Sequence, residues 1–197
     1  MTDDPILKPI EKHNWEKGAV FNAGAVYHNN QFHMIYRATD LGGNEKYGPY
    51  INSLGYAASK DLIHWERKTE PVLKNGVPQE LRGPEDPRIV ELEGKFYMTY
   101  TGFGNRFQDD FRICLASSND LIHWERHGVV LDEPNKNASL FPEKIEGRYC
   151  MFHRRHPDIW ICFSDDLERW VDHKKVMLPI PNSWNQTRIG IAGPPFK

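Results

Sequence analysis

The sequence predicts an all-β fold, a β-propeller built from repeated four-stranded blades. One phrase recurs with variation, as AASKDLIHWER at Ala57–Arg67, ASSNDLIHWER at Ala116–Arg126 and CFSDDLERWVD at Cys162–Asp172. Each copy follows a stretch in which apolar and polar residues alternate, as is typical of strands. A supersecondary unit used at least three times indicates a repeat architecture, and its length suits a blade whose faces pack against neighbouring blades.

Each unit is predicted to open with a β-hairpin. Two short runs rich in Val, Ile, Tyr and Phe flank a polar pair in the segments Gly18–Asp40, Asp86–Gly102 and Phe141–Arg155. The predicted turns are Asn29-Asn30, Glu93-Gly94 and Glu146-Gly147. A third strand then carries Ser59, Ser117 or Ser164. We expect each repeated Asp to cap a turn, and we expect Trp65, Trp124 and Trp170 to fill the space between blades.

Composition places the chain among ordinary globular proteins. Its 197 residues, 39% of them hydrophobic, suffice for one domain with a substantial core. A net charge of −2 gives no electrostatic reason to expect a nucleic acid or an anionic membrane as partner. The N-terminus lacks the apolar core of a signal peptide, and no run approaches a membrane span. Because Cys114, Cys150 and Cys162 lie in apolar, strand-like contexts, we expect reduced buried thiols and a cytoplasmic protein.

The repeat does not close a ring within the sequence. Three units and the opening of a fourth, at Thr187–Lys197, leave a propeller without closure. We therefore expect residues 1–197 to be a single propeller domain that is incomplete at its C-terminus. On this interpretation, the chain holds the first three blades and the start of the fourth.

Chemistry is expected where one unit differs from the others. The entry to the second unit places two acids and two bases around two prolines, namely Arg82, Glu85, Asp86 and Arg88 with Pro84 and Pro87. The prolines stiffen the backbone, so this segment is predicted to be an ordered loop that enters a strand. The neighbours of Asp86 can tune it and can orient a polyhydroxylated ligand, which makes Arg82, Glu85 and Arg88 candidates for substrate binding. A structural salt-bridge cluster is the alternative.

Polar residues stand at corresponding points of the other units. The first unit has Asn22 and Arg37, and the third has Lys136-Asn137 before a strand and Arg154-Arg155-His156 after one. Since the innermost strands of a propeller line its central channel, Asn22, Asp86 and Asn137 are predicted to meet there. The basic group formed by Lys136, Arg154, Arg155 and His156 suits an anion, most simply phosphate. The alternative is a solvated basic turn.

Five ordered motifs resemble those of glycoside hydrolase family 130, which comprises β-mannoside phosphorylases and mannosidases on a five-bladed β-propeller. These motifs are Phe21-Asn22-Ala23, Ile35-Tyr36-Arg37-Ala38, Gly83–Arg88, Lys136–Lys144 and Gly193–Lys197. The resemblance implies that Asp86 is the catalytic general acid and that Asn22 and Arg37 hold the sugar in the −1 subsite. It further implies that Lys136, Arg154 and Lys197 bind phosphate with Asn137 beside them. Many phosphorylases of the family carry Arg where this chain has Lys136.

The resemblance implies inverting phosphorolysis of β-mannosides to α-mannose 1-phosphate, with the acid protonating the departing oxygen through the sugar 3-hydroxyl. Phosphate is already an anion, so one carboxylate suffices, whereas ordinary inverting glycosidases use two. The family's hydrolases tend to lose the basic cluster, and its presence here favours a phosphorylase. Inorganic phosphate is then the co-substrate. No metal or organic cofactor is implied, because the nine His show no ligand spacing.

Three alternatives stay open. A mannoside hydrolase on the same fold needs a second carboxylate, and Glu85 is the nearest candidate. A non-catalytic propeller that binds carbohydrate or protein would not need Asp86. A furanoside-cleaving five-bladed enzyme uses three carboxylates from separate blades, but the first unit has no obvious acid near Asn22. Linkage, acceptor sugar and oligomeric state, with a homo-oligomer among the options, depend on loops such as Leu41–Tyr50 and Gly104–Asp110.

Overall fold

The computed structural model of the chain describes residues 4–42 and 48–196. Within these ranges it contains three antiparallel β-sheets, and each is made of strands that follow one another in sequence. The prediction of an all-β fold is therefore confirmed. The three sheets are blades of a β-propeller, one for each repeated unit.

The strands of each blade are numbered in chain order. The first sheet consists of β1 (Ala19–His28), β2 (Gln31–Thr39), β3 (Asn52–Ser59), β4 (Glu66–Arg67) and β5 (Leu73–Lys74), and the two short strands β4 and β5 both pair with β3. The second sheet consists of β6 (Pro84–Leu92), β7 (Lys95–Phe103), β8 (Phe111–Ser118) and β9 (Glu125–Leu131). The third consists of β10 (Lys136–Leu140), β11 (Tyr149–Arg155), β12 (Asp158–Ser164) and β13 (Val171–Met177). A 3₁₀ turn at Pro78–Glu80 precedes the second blade.

The predicted hairpins of the first two blades are confirmed. Asn29 and Asn30 connect β1 to β2, and Glu93 and Gly94 connect β6 to β7. All four residues have positive φ. This is the backbone conformation that a two-residue turn needs if its twist is to match that of the flanking strands.

The predicted hairpin of the third blade is wrong in its first strand. We expected that strand to begin at Phe141, but it covers Lys136–Leu140 and ends before Phe141. Pro142 has no N–H to donate to the ladder, which disfavours a strand at that point. The predicted turn does form, since Glu146 and Gly147 both have positive φ.

The repeated phrase forms the same capped turn in every blade. Oδ1 of Asp61, Asp120 and Asp166 accepts hydrogen bonds from the backbone N–H groups two and three positions later. A serine two positions before each Asp supports the turn, and in the second blade this residue is Ser118. Ser117 lies on β8, the third strand of this blade, as predicted. Its side chain contacts the His127 ring.

Apolar clusters join successive blades. Trp124 packs against the cluster between the first and second blades, and Trp170 belongs to the cluster between the second and third. These positions confirm the predicted role of both side chains. Trp65 packs on a cluster within the first blade, together with Trp15 of the N-terminal segment.

The first strands of the three blades are neighbours, because β6 contacts both β1 and β10. Such strands surround the axis of a propeller. Residues at corresponding points of β1, β6 and β10 are therefore brought close together in space, although they lie far apart in sequence.

The three cysteines are buried and unpaired, as expected. Burial raises the pKa of the Cys114 and Cys150 thiols to about 12, so neither is poised as a nucleophile. In the ranges that the structure describes, no helix has the length and hydropathy needed to cross a membrane.

Candidate active site

A backbone irregularity marks the same point in the first strand of each blade. The register shifts between Phe21 and Gly24 in β1, between Glu85 and Arg88 in β6, and between Lys136 and Ser139 in β10. Within these bulges, Asn22, Asp86 and Asn137 have φ of 47°, 52° and 63°. Asn and Asp tolerate this left-handed region better than most side chains do, and a bulge re-aims the residue it contains. The three residues thus occupy equivalent positions around the axis.

Asp86 receives hydrogen bonds from two residues of the first blade. Nδ2 of Asn22 donates to its Oδ1 at 2.9 Å, and Nη1 of Arg37 donates to the same oxygen at 3.0 Å. The Asp86 side chain is 11% exposed, which leaves it a narrow contact with solvent. The predicted meeting of Asn22 with Asp86 is therefore observed, and Arg37 joins them, while Asn137 occupies the equivalent bulge of β10.

Arg37 is fixed by bonds from each of its three guanidinium nitrogens. Besides the bond to Asp86, Nε donates to Oδ1 of Asn52 at 2.8 Å, and Nη2 donates to Oε1 of Glu85 at 2.8 Å. The guanidinium also lies over the Phe21 ring, 4.7 Å from its centroid. Sequence reasoning did not identify Asn52, which carries no motif and acts only through its place at the start of β3.

Glu85 lies behind Asp86 and is almost completely buried, with its side chain 1% exposed. Its Oε1 accepts from Arg37 and, at 3.2 Å, from Nδ2 of Asn52. Its Oε2 accepts from Nζ of Lys136 in the third blade. Glu85 was predicted to bind substrate, but its carboxylate is occupied by these three donors.

A basic cavity of about 700 Å³ adjoins this network. Its basic lining residues are Lys136, Arg154, His156 and Arg188. Lys136 and Arg154 are cross-strand partners on β10 and β11. The remaining lining residues are Asp109, Phe111, Pro134 and Asn135. The Lys136 ammonium also lies 3.9 Å from the centroid of the Phe111 ring, so a cation–π contact helps to hold it.

Electrostatics link the acid to the cavity. Burial raises the pKa of Asp86, but Arg37, Asn22 and Lys136 together outweigh burial and hold that pKa below its usual range. Burial lowers the pKa of Arg154, the nearby charge of Arg188 lowers it further, and Asp86 raises it. Asp86 and these cations therefore interact with one another, and the charge of a bound anion would shift the pKa of Asp86.

Arg188 is a cavity residue that the sequence analysis missed. It lies nine positions before Lys197, just ahead of the Gly193–Lys197 motif, in a segment without regular strands. Only its position in the motif's neighbourhood could have drawn attention to it. Lys197 itself was predicted to bind phosphate and lies outside the described residues.

Three other predicted residues are not among those that line the cavity. Nε of Arg155 donates to both carboxylate oxygens of Glu133, at 2.8 and 3.1 Å, and Arg155 is not among the residues that line the cavity. Arg88 is buried and donates to the backbone oxygens of Pro87 and Ile191. Nε and Nη2 of Arg82 are buried and make no hydrogen bond to any residue that the structure describes.

A pair of histidines, His153 buried and His173 half-buried, lies on the third blade. His153, Cys162 and His173 place their potential ligand atoms within 4.8 Å of one another. Because the three residues lie on three different strands, the sequence does not show that they are close. Asn135 donates to Nδ1 of His153, and Nε2 of His153 lies 3.0 Å from Nδ1 of His173. Nε2 of His173 contacts the Trp170 carbonyl. Each ring nitrogen thus has a partner, and the expected absence of a metal stays a prediction.

Comparisons with known proteins place these features in a family. A family model described as beta-1,4-mannooligosaccharide phosphorylase matches residues 5–197. A 1,2-beta-oligomannan phosphorylase of Thermoanaerobacter sp. (strain X514) is 62% identical over 197 residues, and a beta-1,2-mannobiose phosphorylase of the same strain is 52% identical over 204. Each alignment covers 100% of this chain and 67% of the relative.

Among solved structures, a glycosyl hydrolase from Bacteroides ovatus has the same arrangement of strands. The two chains superpose with a TM-score of 0.86 at 26% sequence identity. The superposition covers 97% of this chain and 63% of that one. The chain thus spans about two thirds of the length of the proteins it matches.

Proposed function

This chain belongs to glycoside hydrolase family 130, and on that premise we propose that the full-length protein cleaves β-1,2-linked mannosides by inverting phosphorolysis. One observation carries the proposal. Asp86, a partly accessible carboxylate held by Asn22 and Arg37, lies beside a cavity that Lys136, Arg154, His156 and Arg188 make basic. Residues 1–197 would then form part of one catalytic domain, with β-mannoside and inorganic phosphate as its substrates.

The reaction uses this pair of features directly. A phosphate oxygen forms a bond to the anomeric carbon of the terminal mannose while the bond from that carbon to the leaving oxygen breaks on the opposite face. The proton of Asp86 ends on the departing sugar, and the products are α-mannose 1-phosphate and a shortened acceptor. Fixed cations offset the repulsion between phosphate and the sugar oxygens, which is preorganised electrostatic stabilisation. Neither a metal nor an organic cofactor takes part in this scheme.

Asp86 must carry a proton when the leaving oxygen departs, although its pKa is depressed in the ligand-free site. Phosphate in the cavity would offset the charges of Lys136 and Arg154. Because those charges favour the carboxylate form of Asp86, offsetting them raises its pKa. Binding of phosphate thereby helps to protonate the acid that the reaction needs.

Hydrolysis on the same fold is less well supported, because it requires a second carboxylate to activate water. Glu85 was the candidate for this role, but it is 1% exposed and accepts from Arg37, Asn52 and Lys136. Asp109 does line the cavity. The deciding experiment must therefore separate phosphate from water as the nucleophile.

The β-1,2 linkage rests on the relatives. The two proteins at 62% and 52% identity are named for β-1,2-linked mannans and mannobiose, whereas a Ruminococcus albus relative named for β-1,4-linked mannooligosaccharides is 28% identical. We also keep the predicted cytoplasmic location within the proposal, because three free buried thiols suit a reducing compartment.

The test is to incubate the full-length protein with β-1,2-mannobiose or β-1,4-mannobiose, each with and without phosphate. We expect mannose 1-phosphate from the β-1,2 substrate only when phosphate is present. Free mannose at an equal rate without phosphate would assign a hydrolase. No product from either substrate under any condition would favour a binding propeller.

A further inference from the structure

We propose, on the premise of that function, that Glu85 is a positioning residue whose buried charge governs how strongly Arg37 and Lys136 act on Asp86 and on phosphate. Glu85 would touch neither substrate. It would instead act through the two cations, one on the sugar side of the site and one on the phosphate side.

The geometry supports this role because one carboxylate joins the two halves of the site. Oε1 of Glu85 accepts from Arg37 at 2.8 Å, and Arg37 also donates to Asp86. Oε2 of Glu85 accepts from Lys136, which lines the basic cavity. Asn52 provides the third hydrogen bond to Glu85, donating from Nδ2 to Oε1 at 3.2 Å. The three donors come from β2, β3 and β10, so Glu85 ties the first blade to the third through the second.

The charge of Glu85 matters because cations outnumber carboxylates around Asp86. Arg37 on β2, Arg88 on β6, Lys136 on β10 and Arg154 on β11 all interact with Asp86 electrostatically. Arg188 adds its charge at Arg154, and Asp109 and His156 line the same cavity. Glu85 is the carboxylate that pairs with two of these cations. Its negative charge offsets part of their effect and so keeps the pKa of Asp86 from falling further.

Glu85→Gln removes this charge and nearly preserves the shape of the side chain. Lys136 then turns more fully towards the cavity, so we expect the KM for phosphate to fall several-fold. Without the charge of Glu85, the nearby cations stabilise the carboxylate form of Asp86 more strongly, so the pKa of Asp86 falls. Activity requires protonated Asp86, so kcat should fall and the alkaline limb of the pH profile should move to lower pH. Each unit of that movement lowers the protonated fraction by about tenfold above the pKa.

Two further variants keep the test decisive. Glu85→Asp retains the charge but withdraws the carboxylate by one methylene, so kcat should fall while the alkaline limb stays in place. Glu80→Gln is the matched control, because Glu80 is a buried acid in the 3₁₀ turn before the same blade and is held by Tyr100 and Arg126 away from the cavity. Its loss should lower the melting temperature and leave the phosphate KM and the pH profile unchanged.

The experiment measures phosphate KM, kcat and the pH profile of all four full-length proteins with β-1,2-mannobiose. A wild type without activity would overturn the proposed function itself. An active wild type whose phosphate KM and alkaline limb are unchanged in Glu85→Gln, or change equally in Glu80→Gln, would overturn the role of Glu85 alone. If Glu85→Gln does not fold, Glu85→Asp provides the test. A kcat equal to that of the wild type in Glu85→Asp would contradict a positioning role for Glu85.

Discussion

Asn22 donates a hydrogen bond of 2.9 Å from Nδ2 to Oδ1 of Asp86, across 64 positions of sequence and from one blade to the next. Both residues have positive φ at a bulge in the first strand of their blade. Such sparsely populated backbone conformations persist where the surrounding structure enforces them, and they cluster at functional sites. The packing of two blades therefore sets the position of the acid.

Asp86→Asn should remove turnover and leave the fold intact. The amide oxygen can still accept from Asn22 and Arg37, but the amide has no proton to transfer. Loss of a general acid typically costs about 10²–10⁴ in rate. The check is the rate of mannose 1-phosphate formation beside a circular dichroism spectrum. Near-native turnover in a folded variant would exclude Asp86 as the acid.

Lys136→Ala and Arg154→Ala should each raise the KM for phosphate far more than the KM for the mannoside. A hydrogen bond to a charged group contributes about 1.5–3 kcal/mol, which corresponds to roughly a 10- to 100-fold change. Arg155→Ala is the matched control, because Arg155 is the next residue of β11 and pairs with Glu133 instead. Equal effects at Arg154 and Arg155 would show that the cavity is not the phosphate site.

Arg188→Ala should also weaken the use of phosphate, because Arg188 lines the cavity and its charge acts on Arg154. We expect a phosphate KM raised by about tenfold and a mannoside KM close to that of the wild type. Arg148→Ala serves as the control, since Arg148 forms ion pairs with Asp165 and Asp172 outside the cavity. An unchanged phosphate KM in Arg188→Ala would remove Arg188 from the site.

Acid should destabilise the protein through His153. Burial and the neighbouring His173 and Arg155 lower the pKa of His153 to about 4, whereas an unfolded His titrates near 6.5. The unfolded state therefore binds the proton more tightly, and stability is lost as pH falls from about 6.5 towards 4, by up to about 3 kcal/mol. The measurement is the melting temperature against pH. His153→Gln should flatten the curve in this window, and an identical curve would refute the assignment.

The sequence supported the repeat, the Asp caps and the meeting of Asn22 with Asp86, because all three follow from equivalence between units. It also grouped Arg154 with Arg155. Successive residues of a strand point to opposite faces, and in β11 Arg154 lines the cavity while Arg155 pairs with Glu133. Strand alternation alone could have separated these two side chains.

Other features could not be predicted because they depend on tertiary contacts. Asn52 and Arg188 belong to no repeated position, and their partners lie in other elements. Glu85 was predicted to bind substrate from its place in the motif. Its burial depends on ion pairs with Arg37 of the first blade and Lys136 of the third, which the motif does not show. The third inner strand ends at Leu140, ahead of Pro142, so its end could have been predicted, whereas its start at Lys136 depends on pairing with β11.

The central claim is that phosphate is the nucleophile at the anomeric carbon, with Asp86 as the acid. An NMR time course of the full-length protein with β-1,2-mannobiose, phosphate and ¹⁸O-labelled water tests it most directly. We predict that α-mannose 1-phosphate accumulates first, with no ¹⁸O in its sugar, and that no product forms when phosphate is omitted. Early release of ¹⁸O-labelled mannose, at a rate that does not depend on phosphate, would contradict the account.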